Sequence, residues 1–108
     1  MKRVFVQTEA FSDALDDKDP EALKKIEDSI LENPEVGDVL KRLGGVRKFR
    51  IRDKKRGKGK RGGIRVLYLD LPHRERTYLL YLYGKDEAED ITEDERKEIS
   101  MLVRILKG

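Results

Sequence analysis

The chain has 108 residues, of which 44% are charged and 37% hydrophobic, and its formal net charge is +3. This length predicts a single domain over residues 1–108 with a modest hydrophobic core. The absence of cysteine excludes disulfides and thiolate metal sites, and with His73 as the lone histidine we expect no metal and no cofactor. No apolar run approaches the ~20 residues of a membrane span, and the polar N-terminus is not expected to be a signal peptide, so we expect a cytoplasmic protein without a membrane partner.

The small net charge hides a strong polarity along the chain. Residues 47–65 contain eleven basic residues and one acid, whereas acids outnumber bases ten to three in residues 9–35 and eight to two in residues 86–98. A basic block between acidic segments indicates a polyanion as the partner of one face. An ordinary solvated surface is the alternative interpretation.

The first elements in chain order are a strand and two helices. Alternating apolar residues predict a strand over residues 2–7, and Thr8 is a candidate cap for a short helix after it. Asp19 followed by Pro20 predicts the start of a longer amphipathic helix. Residues 34–45 are predicted to form a connection that ends in a glycine pair.

The second half of the chain is predicted to contain three strands and a helix. Residues 46–52, VRKFRIR, alternate so that Phe49 and Ile51 are buried while cations face the other way. Two apolar strands follow over residues 64–71 and 77–83, and the second is apolar on both faces and therefore expected to be central. A TEDE sequence predicts a capping box on the last helix. The order indicates an α+β domain with helices on one face of a mostly antiparallel sheet of about four strands.

The basic strand and the glycine-rich loop that follows it carry the main functional signal. Lys48, Arg50 and Arg52 recur at every second residue, about 7 Å apart on one face of the strand. That spacing is close to the phosphate repeat of an extended nucleic-acid strand. The glycines of the loop leave backbone N–H groups free to approach a phosphate. The basic residues of the loop are Lys54, Lys55, Arg56, Lys58, Lys60 and Arg61.

Three further positions are candidates for chemistry. Arg65 starts an apolar strand, and an arginine on a rigid element is suited to a bidentate contact with phosphate. Lys85 and Glu87 follow the next strand, although a surface lysine and an acid favoured by a helix N-terminus remain open interpretations. We favour the helix-dipole interpretation for Asp90. His73 lies in a charged turn and is not expected to be catalytic.

Three segments, in this order, resemble the RelE/HigB superfamily of bacterial toxins, which cut mRNA on the ribosome. The segments are VRKFRIR at 46–52, GKRGGIRVLYL at 59–69 and LLYLYGKDEAEDIT at 79–92. Within the superfamily they are most similar to the HigB-like branch. The resemblance covers nearly the whole chain and implies a compact α+β fold of the microbial ribonuclease type.

The resemblance also implies an activity and partners. It implies metal-independent cleavage of mRNA in the ribosomal A site, next to rRNA, and neutralisation by a cognate antitoxin that carries a helix-turn-helix DNA-binding part. The basic cluster of the family maps onto Lys48, Arg50 and Arg65, and the lysine after its fourth strand maps onto Lys85. Lys58, Lys60 and Arg61 fall in the basic loop of the HigB-like branch.

We therefore predict two groups of site residues. The predicted catalytic residues are Arg65, Lys85, Lys60 and Glu87. The predicted RNA-binding residues are Lys48, Arg50, Arg52, Lys58 and Arg61. Some RelE-type members place an arginine near position 86 and a tyrosine or histidine after it, where this chain has Asp86 and Ile91-Thr92. Glu87 is the nearby candidate for proton transfer.

Two other functions remain open at this point. A toxin of the same fold that poisons DNA gyrase would share the architecture but would not need catalytic cations. A non-catalytic protein that binds RNA or the ribosome would bind with a steep dependence on salt and leave the RNA whole.

Overall fold

The computed structural model of the chain describes residues 3–52, 63–84, 87, 88 and 90–108. Their helices and strands are β1 (Val4–Gln7), α1 (Glu9–Leu15), α2 (Ala22–Glu32), β2 (Asp38–Val39), β3 (Arg47–Ile51), β4 (Ile64–Leu71), β5 (Arg76–Gly84) and α3 (Glu93–Lys107). A turn of 3₁₀ helix, Pro72–Arg74, joins β4 to β5. The α+β class and the predicted order of strands and helices are confirmed.

The described residues form a five-stranded sheet in the order β1-β5-β4-β3-β2. β1 runs parallel to β5, and the other neighbours are antiparallel. The additional strand is β2, which has two residues and pairs with the basic strand β3 inside the predicted connection over residues 34–45. Two residues are too few to show an alternating pattern, so the sequence did not predict this edge strand. β5 was predicted to be central; it is an interior strand, and β4 occupies the middle of the sheet.

Helices cover both faces of the sheet, so the prediction of helices on one face was wrong. On one face, α1 and α2 bury Phe11, Ile26 and Ile30 against Phe49 and other apolar residues of β3, β4 and β5. On the other face, α3 packs Ile99 and Val103 against the opposite side chains of β4 and β5. The reason is that β4 and β5 are apolar on both faces, and each face stabilises the fold only when it is removed from water.

A bulge in the pairing of β4 with β5 determines which side chains of β5 reach each face. Leu67 lies opposite Tyr81 and Tyr68 lies opposite Leu79, so Leu80 has no partner in the ladder. Leu80 and Tyr81 consequently both pack on the α3 side, and the alternation resumes beyond them. The bulge thereby places Tyr83 on the α3 face, next to the basic residues described below.

Two of the three helix starts predicted from the sequence agree with the structure. The Thr8 side chain accepts a hydrogen bond from the Phe11 backbone N–H, and Thr92 forms the predicted capping box at α3. α2 begins at Ala22, two residues later than the proline suggested. Asp19 still contributes, because its Oδ1 accepts a hydrogen bond of 2.9 Å from the backbone N–H of Glu21.

The longest described helix is α3, with 15 residues. A helix that crosses a bilayer needs about 20 residues, most of them apolar. Within the described part of the chain, none of the helices combines the length and the apolar character that a transmembrane helix requires.

Candidate nucleic-acid interface

Three side chains form a row across the sheet on the α3 face. Arg50 of β3 lies directly opposite Arg65 of β4, and Arg65 lies opposite Tyr83 of β5. Residues that are directly opposite in antiparallel strands have Cβ atoms about 5 Å apart on the same face. The two predicted phosphate-binding arginines are therefore neighbours, although fifteen positions separate them in the sequence.

Lys48 extends this row by one step along β3. It lies opposite Leu67, whose side chain packs on the α3 face, so Lys48 shares that face with Arg50. Arg52 is exposed and follows directly after β3 at the same end of the sheet as Arg65. We name Lys48, Arg50 and Arg65, with Tyr83, the cationic row.

The cationic row contains a pairing that is unfavourable in isolation. Like charges directly opposite each other in a sheet destabilise it by a few tenths of a kcal/mol to about 1 kcal/mol. The Arg65 guanidinium donates to the carbonyl oxygen of Gly63 at 3.2 Å, and it forms no ion pair with an acid among the described residues. An anion placed between the two guanidinium groups would relieve this repulsion.

Gly63 allows the two arginine-bearing strands to meet closely. A Cβ atom at this position would lie 2.8 Å from Cγ of Arg50 and 3.0 Å from the carbonyl oxygen of Ile51. A larger residue would push the stem of Arg50 away from β4. The glycine that precedes β4 thus serves the packing of the cationic row, in addition to any role in the loop before it.

The hydroxyl of Tyr83 lies buried at one end of the row. It forms no standard hydrogen bond with another described residue. Burial is the main cause that raises the pKa of Tyr83, the nearby Asp90 carboxylate raises it further, and the positive charge of Arg65 opposes both. Asp90 is therefore close to this hydroxyl, although the two groups do not meet hydrogen-bond geometry. A buried hydroxyl without a partner costs free energy, so its surroundings are suited to a further polar group.

Basic residues at the opposite end of the sheet are arranged differently. Arg3 contacts the carboxylate of Asp70, and Arg47 lies 3.2 Å from a carboxylate oxygen of Glu35. His73 is exposed in the turn at this same end, away from Arg65. Acids of this chain neutralise these arginines, which distinguishes them from Arg65.

Four of the predicted site residues lie outside the described part of the chain. They are Lys58, Lys60, Arg61 and Lys85. The described residues that flank them, Arg52, Gly63, Gly84 and Glu87, all lie at the end of the sheet where Ile64 pairs with Gly84. All four flanking residues therefore lie beside the cationic row.

The fold resembles a solved structure of the Escherichia coli toxin RelE, a double arginine-to-alanine variant in the free state. The two share 19% sequence identity and a TM-score of 0.62, and the match covers 92% of this chain and 95% of that chain. At this identity the likeness concerns the fold. A family model described as "RelE toxin of RelE / RelB toxin-antitoxin system" matches residues 2–108. The chain belongs to the RelE toxin family.

Membership in the RelE family confirms the superfamily and the toxin class that the sequence motifs indicated. The protein is a toxin of a toxin–antitoxin system. The narrower assignment to the HigB-like branch stays a prediction, and so do the roles of the individual site residues.

In this RelE-family toxin, Glu87 is held by two groups at the end of β5. Its Oε1 accepts a hydrogen bond of 2.6 Å from the backbone N–H of Gly84 and lies 3.1 Å from Nζ of Lys18. The Lys18 side chain is 1% exposed and also lies 2.6 Å from a carboxylate oxygen of Asp17. These contacts join the connection between α1 and α2 to Glu87 and the end of β5.

The sequence did not single out Lys18, and it suggested a different role for Asp90. A lysine in an acidic connection looks like a solvated residue, and only the folded chain shows that it is buried. The Asp90 carboxylate lies 3.6 Å from Nζ of Lys48, in addition to its place before α3. No local pattern links Lys48 to Asp90, because they are 42 residues apart.

Proposed function

We propose that this RelE-family toxin is an endoribonuclease that cleaves mRNA in the A site of the ribosome and thereby inhibits translation in the cytoplasm. The single observation that supports the proposal most is the direct opposition of Arg50 and Arg65, with Lys48 beside them on one face. Such a pairing is favourable when a phosphate lies between the cations. The likeness to a family of toxins supports the same conclusion.

The proposed reaction is an internal transfer of the phosphate. The ribose 2′-oxygen attacks the adjacent phosphorus, the new P–O2′ bond forms, and the P–O5′ bond breaks. The 2′-hydroxyl loses its proton, and the 5′-oxygen that leaves gains one. Negative charge grows on the non-bridging oxygens during the attack, and cations that are already in place lower the barrier because they need not reorganise.

Arg65 is our first candidate for stabilising that charge. Arg65 lies on β4, the middle strand of the sheet, so its backbone is held rigidly. The hydrogen bond to the Gly63 carbonyl oxygen orients the guanidinium further. Lys48, Arg50 and Arg52 would hold the flanking phosphates. Lys58 and Arg61 of the glycine-rich loop are proposed to extend this RNA contact.

The proton transfers are proposed for Lys60 or Lys85, since neighbouring cations lower the pKa of a lysine. Glu87 is the alternative that the sequence suggested. Its Oε1 contacts both Lys18 and the Gly84 N–H, which supports a role in holding the residues that follow β5.

The proposed partners are mRNA and rRNA at the A site and a cognate antitoxin. The family model that matches this chain is named for a toxin–antitoxin pair, which supports an antitoxin partner. A helix-turn-helix part in that antitoxin, and a place in the HigB-like branch, are proposals that rest on the motifs at 46–52, 59–69 and 79–92.

The test is primer extension on ribosome-bound mRNA with wild-type toxin and the Arg65→Ala variant. We expect cleavage within codons with the wild type and a rate lower by a factor of about 10²–10³ with Arg65→Ala, since one stabilising group of this kind is commonly worth that much. Arg76→Ala is a matched control, because Arg76 is an exposed arginine at the opposite end of β5, and it should cleave like the wild type.

The other outcomes identify the alternative functions. Unbroken mRNA together with RNA binding would indicate a non-catalytic RNA-binding protein. If translation from a purified mRNA continued without hindrance, a gyrase poison of the same fold would be the better assignment. Equal cleavage by Arg65→Ala and wild type would remove Arg65 from the mechanism while leaving the activity.

A further inference from the structure

We propose that Asp90 acts as an internal substitute for the RNA phosphate at Lys48, and that RNA must displace this carboxylate in order to bind the cationic row. The inference rests on the proposed binding of RNA to that row. In this proposal Asp90 limits the affinity of the toxin for RNA, whereas the cations bind the RNA directly.

The contact between Asp90 and Lys48 has the properties of a pair that exchanges readily. Its Oδ1 atom lies 3.6 Å from Nζ of Lys48, beyond ordinary hydrogen-bond length, and the side chains are 61% and 29% exposed. The same Oδ1 accepts a hydrogen bond of 2.8 Å from the backbone N–H of Ile91. The backbone therefore holds the carboxylate near the lysine, while the ion pair itself is weak and open to water.

A second acid, Asp38, is also close to Lys48 but does not form an ion pair with it. Asp38 lies directly opposite Lys48 in the pairing of β2 with β3. Of the described acids, Asp90 is thus the one within ion-pair distance of Lys48. It also comes from the segment that connects β5 to α3, beside the cationic row.

The consequence is a measurable limit on RNA affinity. Removing the negative charge of Asp90 frees Lys48 and removes a repulsion between the carboxylate and the incoming phosphate. An exposed ion pair of this kind corresponds to a change in affinity of about two- to five-fold. We therefore expect Asp90→Asn to bind RNA about two- to five-fold more tightly than the wild type.

The experiment measures binding of the intact toxin to a fluorescein-labelled single-stranded RNA whose 2′-O-methyl riboses prevent cleavage. Fluorescence anisotropy at fixed salt is compared for the wild type, Asp90→Asn and Asp28→Asn. Asp28 is a matched control because it also pairs with a lysine, is 58% exposed and lies on α2, on the other face of the sheet. Its substitution makes the same change in net charge and should alter the affinity less than Asp90→Asn.

A double-mutant cycle with Lys48→Met separates displacement from a general effect of charge. The gain from Asp90→Asn should be smaller when Lys48 is absent, because only the repulsion between the carboxylate and the phosphate then remains to be removed. An equal gain in both backgrounds, or an unchanged or lower affinity for Asp90→Asn, would overturn the proposal. If the wild-type protein itself did not bind the RNA, the proposed function would fail instead, and the two failures are therefore distinguishable.

Discussion

Three tyrosines on neighbouring strands show how strongly the surroundings of a single residue decide its role. The Tyr68 hydroxyl donates to the carbonyl oxygens of Val36 and Pro34, and burial raises the pKa of Tyr68 to about 12. Tyr81 donates to Oε2 of Glu95 at 2.7 Å, and burial followed by this hydrogen bond raises the pKa of Tyr81 to about 12. Tyr83 lacks such a bond. The sequence indicated only that most tyrosines would be in the core.

Glu95 gives a prediction at the residue scale. Its hydrogen bond from the Thr92 backbone N–H is the main cause that lowers its pKa below 4.5; burial opposes this, and the hydrogen bond from Tyr81 supports it. Because the folded pKa is depressed, the carboxylate stabilises the fold at pH values above the unfolded pKa, and this contribution is lost as pH falls through the folded pKa.

We therefore expect Glu95→Gln to lower the free energy of unfolding by about 0.3–1 kcal/mol at neutral pH, because glutamine can keep the capping-box hydrogen bond but loses the negative charge that the helix N-terminus stabilises. The difference from the wild type should shrink below pH 4.5. Urea unfolding at several pH values measures it. A difference that stays constant down to pH 3, or a destabilised variant only in acid, would contradict this account.

Contacts between distant segments hold the end of the sheet that carries the candidate site. Lys18 lies in the connection between α1 and α2, and Glu87 follows β5, yet their side chains meet with Gly84 at this end. Gly37 makes a second close contact beside β3, where a Cβ would lie 2.3 Å from the carbonyl oxygen of Lys48 and φ is +90°. The Lys18–Glu87 contact and the close approach of Gly37 to Lys48 both restrict the backbone of the strands that carry the cationic row.

The Lys18→Met variant tests these contacts between elements through the free energy of unfolding. The side chain is buried between Asp17 and Glu87, so losing its charge-assisted bonds should lower the free energy of unfolding by about 1–3 kcal/mol. Lys24→Met is the matched control, because Lys24 forms an exposed pair with Asp28 one helical turn away. That variant should lose no more than about 0.5 kcal/mol. Equal unfolding curves for the two variants in urea would refute the assignment.

The cations of the cationic row and the first acidic stretch lie on opposite faces of the sheet. Lys48, Arg50 and Arg65 are on the α3 face, whereas the acidic stretch over residues 9–35 forms α1 and α2 on the other face; the second acidic stretch, over residues 86–98, includes the start of α3. Such a distribution favours one orientation of approach to a polyanion.

The dependence of RNA binding on salt tests this picture for the whole molecule. Each phosphate that a cation neutralises on a single strand contributes about −0.7 to the slope of log K against log salt concentration. Arg50→Met should therefore make the slope less steep by about 0.7. Arg104→Met, which removes an exposed arginine from α3, should leave the slope as it is. Identical slopes for the wild type and Arg50→Met would place the RNA elsewhere.

The parts of the fold that depend on a few neighbouring residues could be predicted from the sequence. Alternation in residues 46–52 correctly predicted the burial of Phe49 and Ile51 and the cations opposite them. The Thr92 capping box and the apolar run of β4 were equally local. The motifs at 46–52, 59–69 and 79–92 sufficed for the toxin superfamily, because their order and spacing agree with the family together with the predicted order of strands and helices.

The tertiary structure decided how these segments meet. The bulge at Leu80, the two-residue strand β2 and the helices on both faces follow from the register and from the packing of elements far apart in sequence. The same holds for the contacts Lys18–Glu87 and Lys48–Asp90, which no local pattern encodes. Periodicity specifies which side of a strand a residue occupies, whereas the partner across from it depends on where the whole chain folds back.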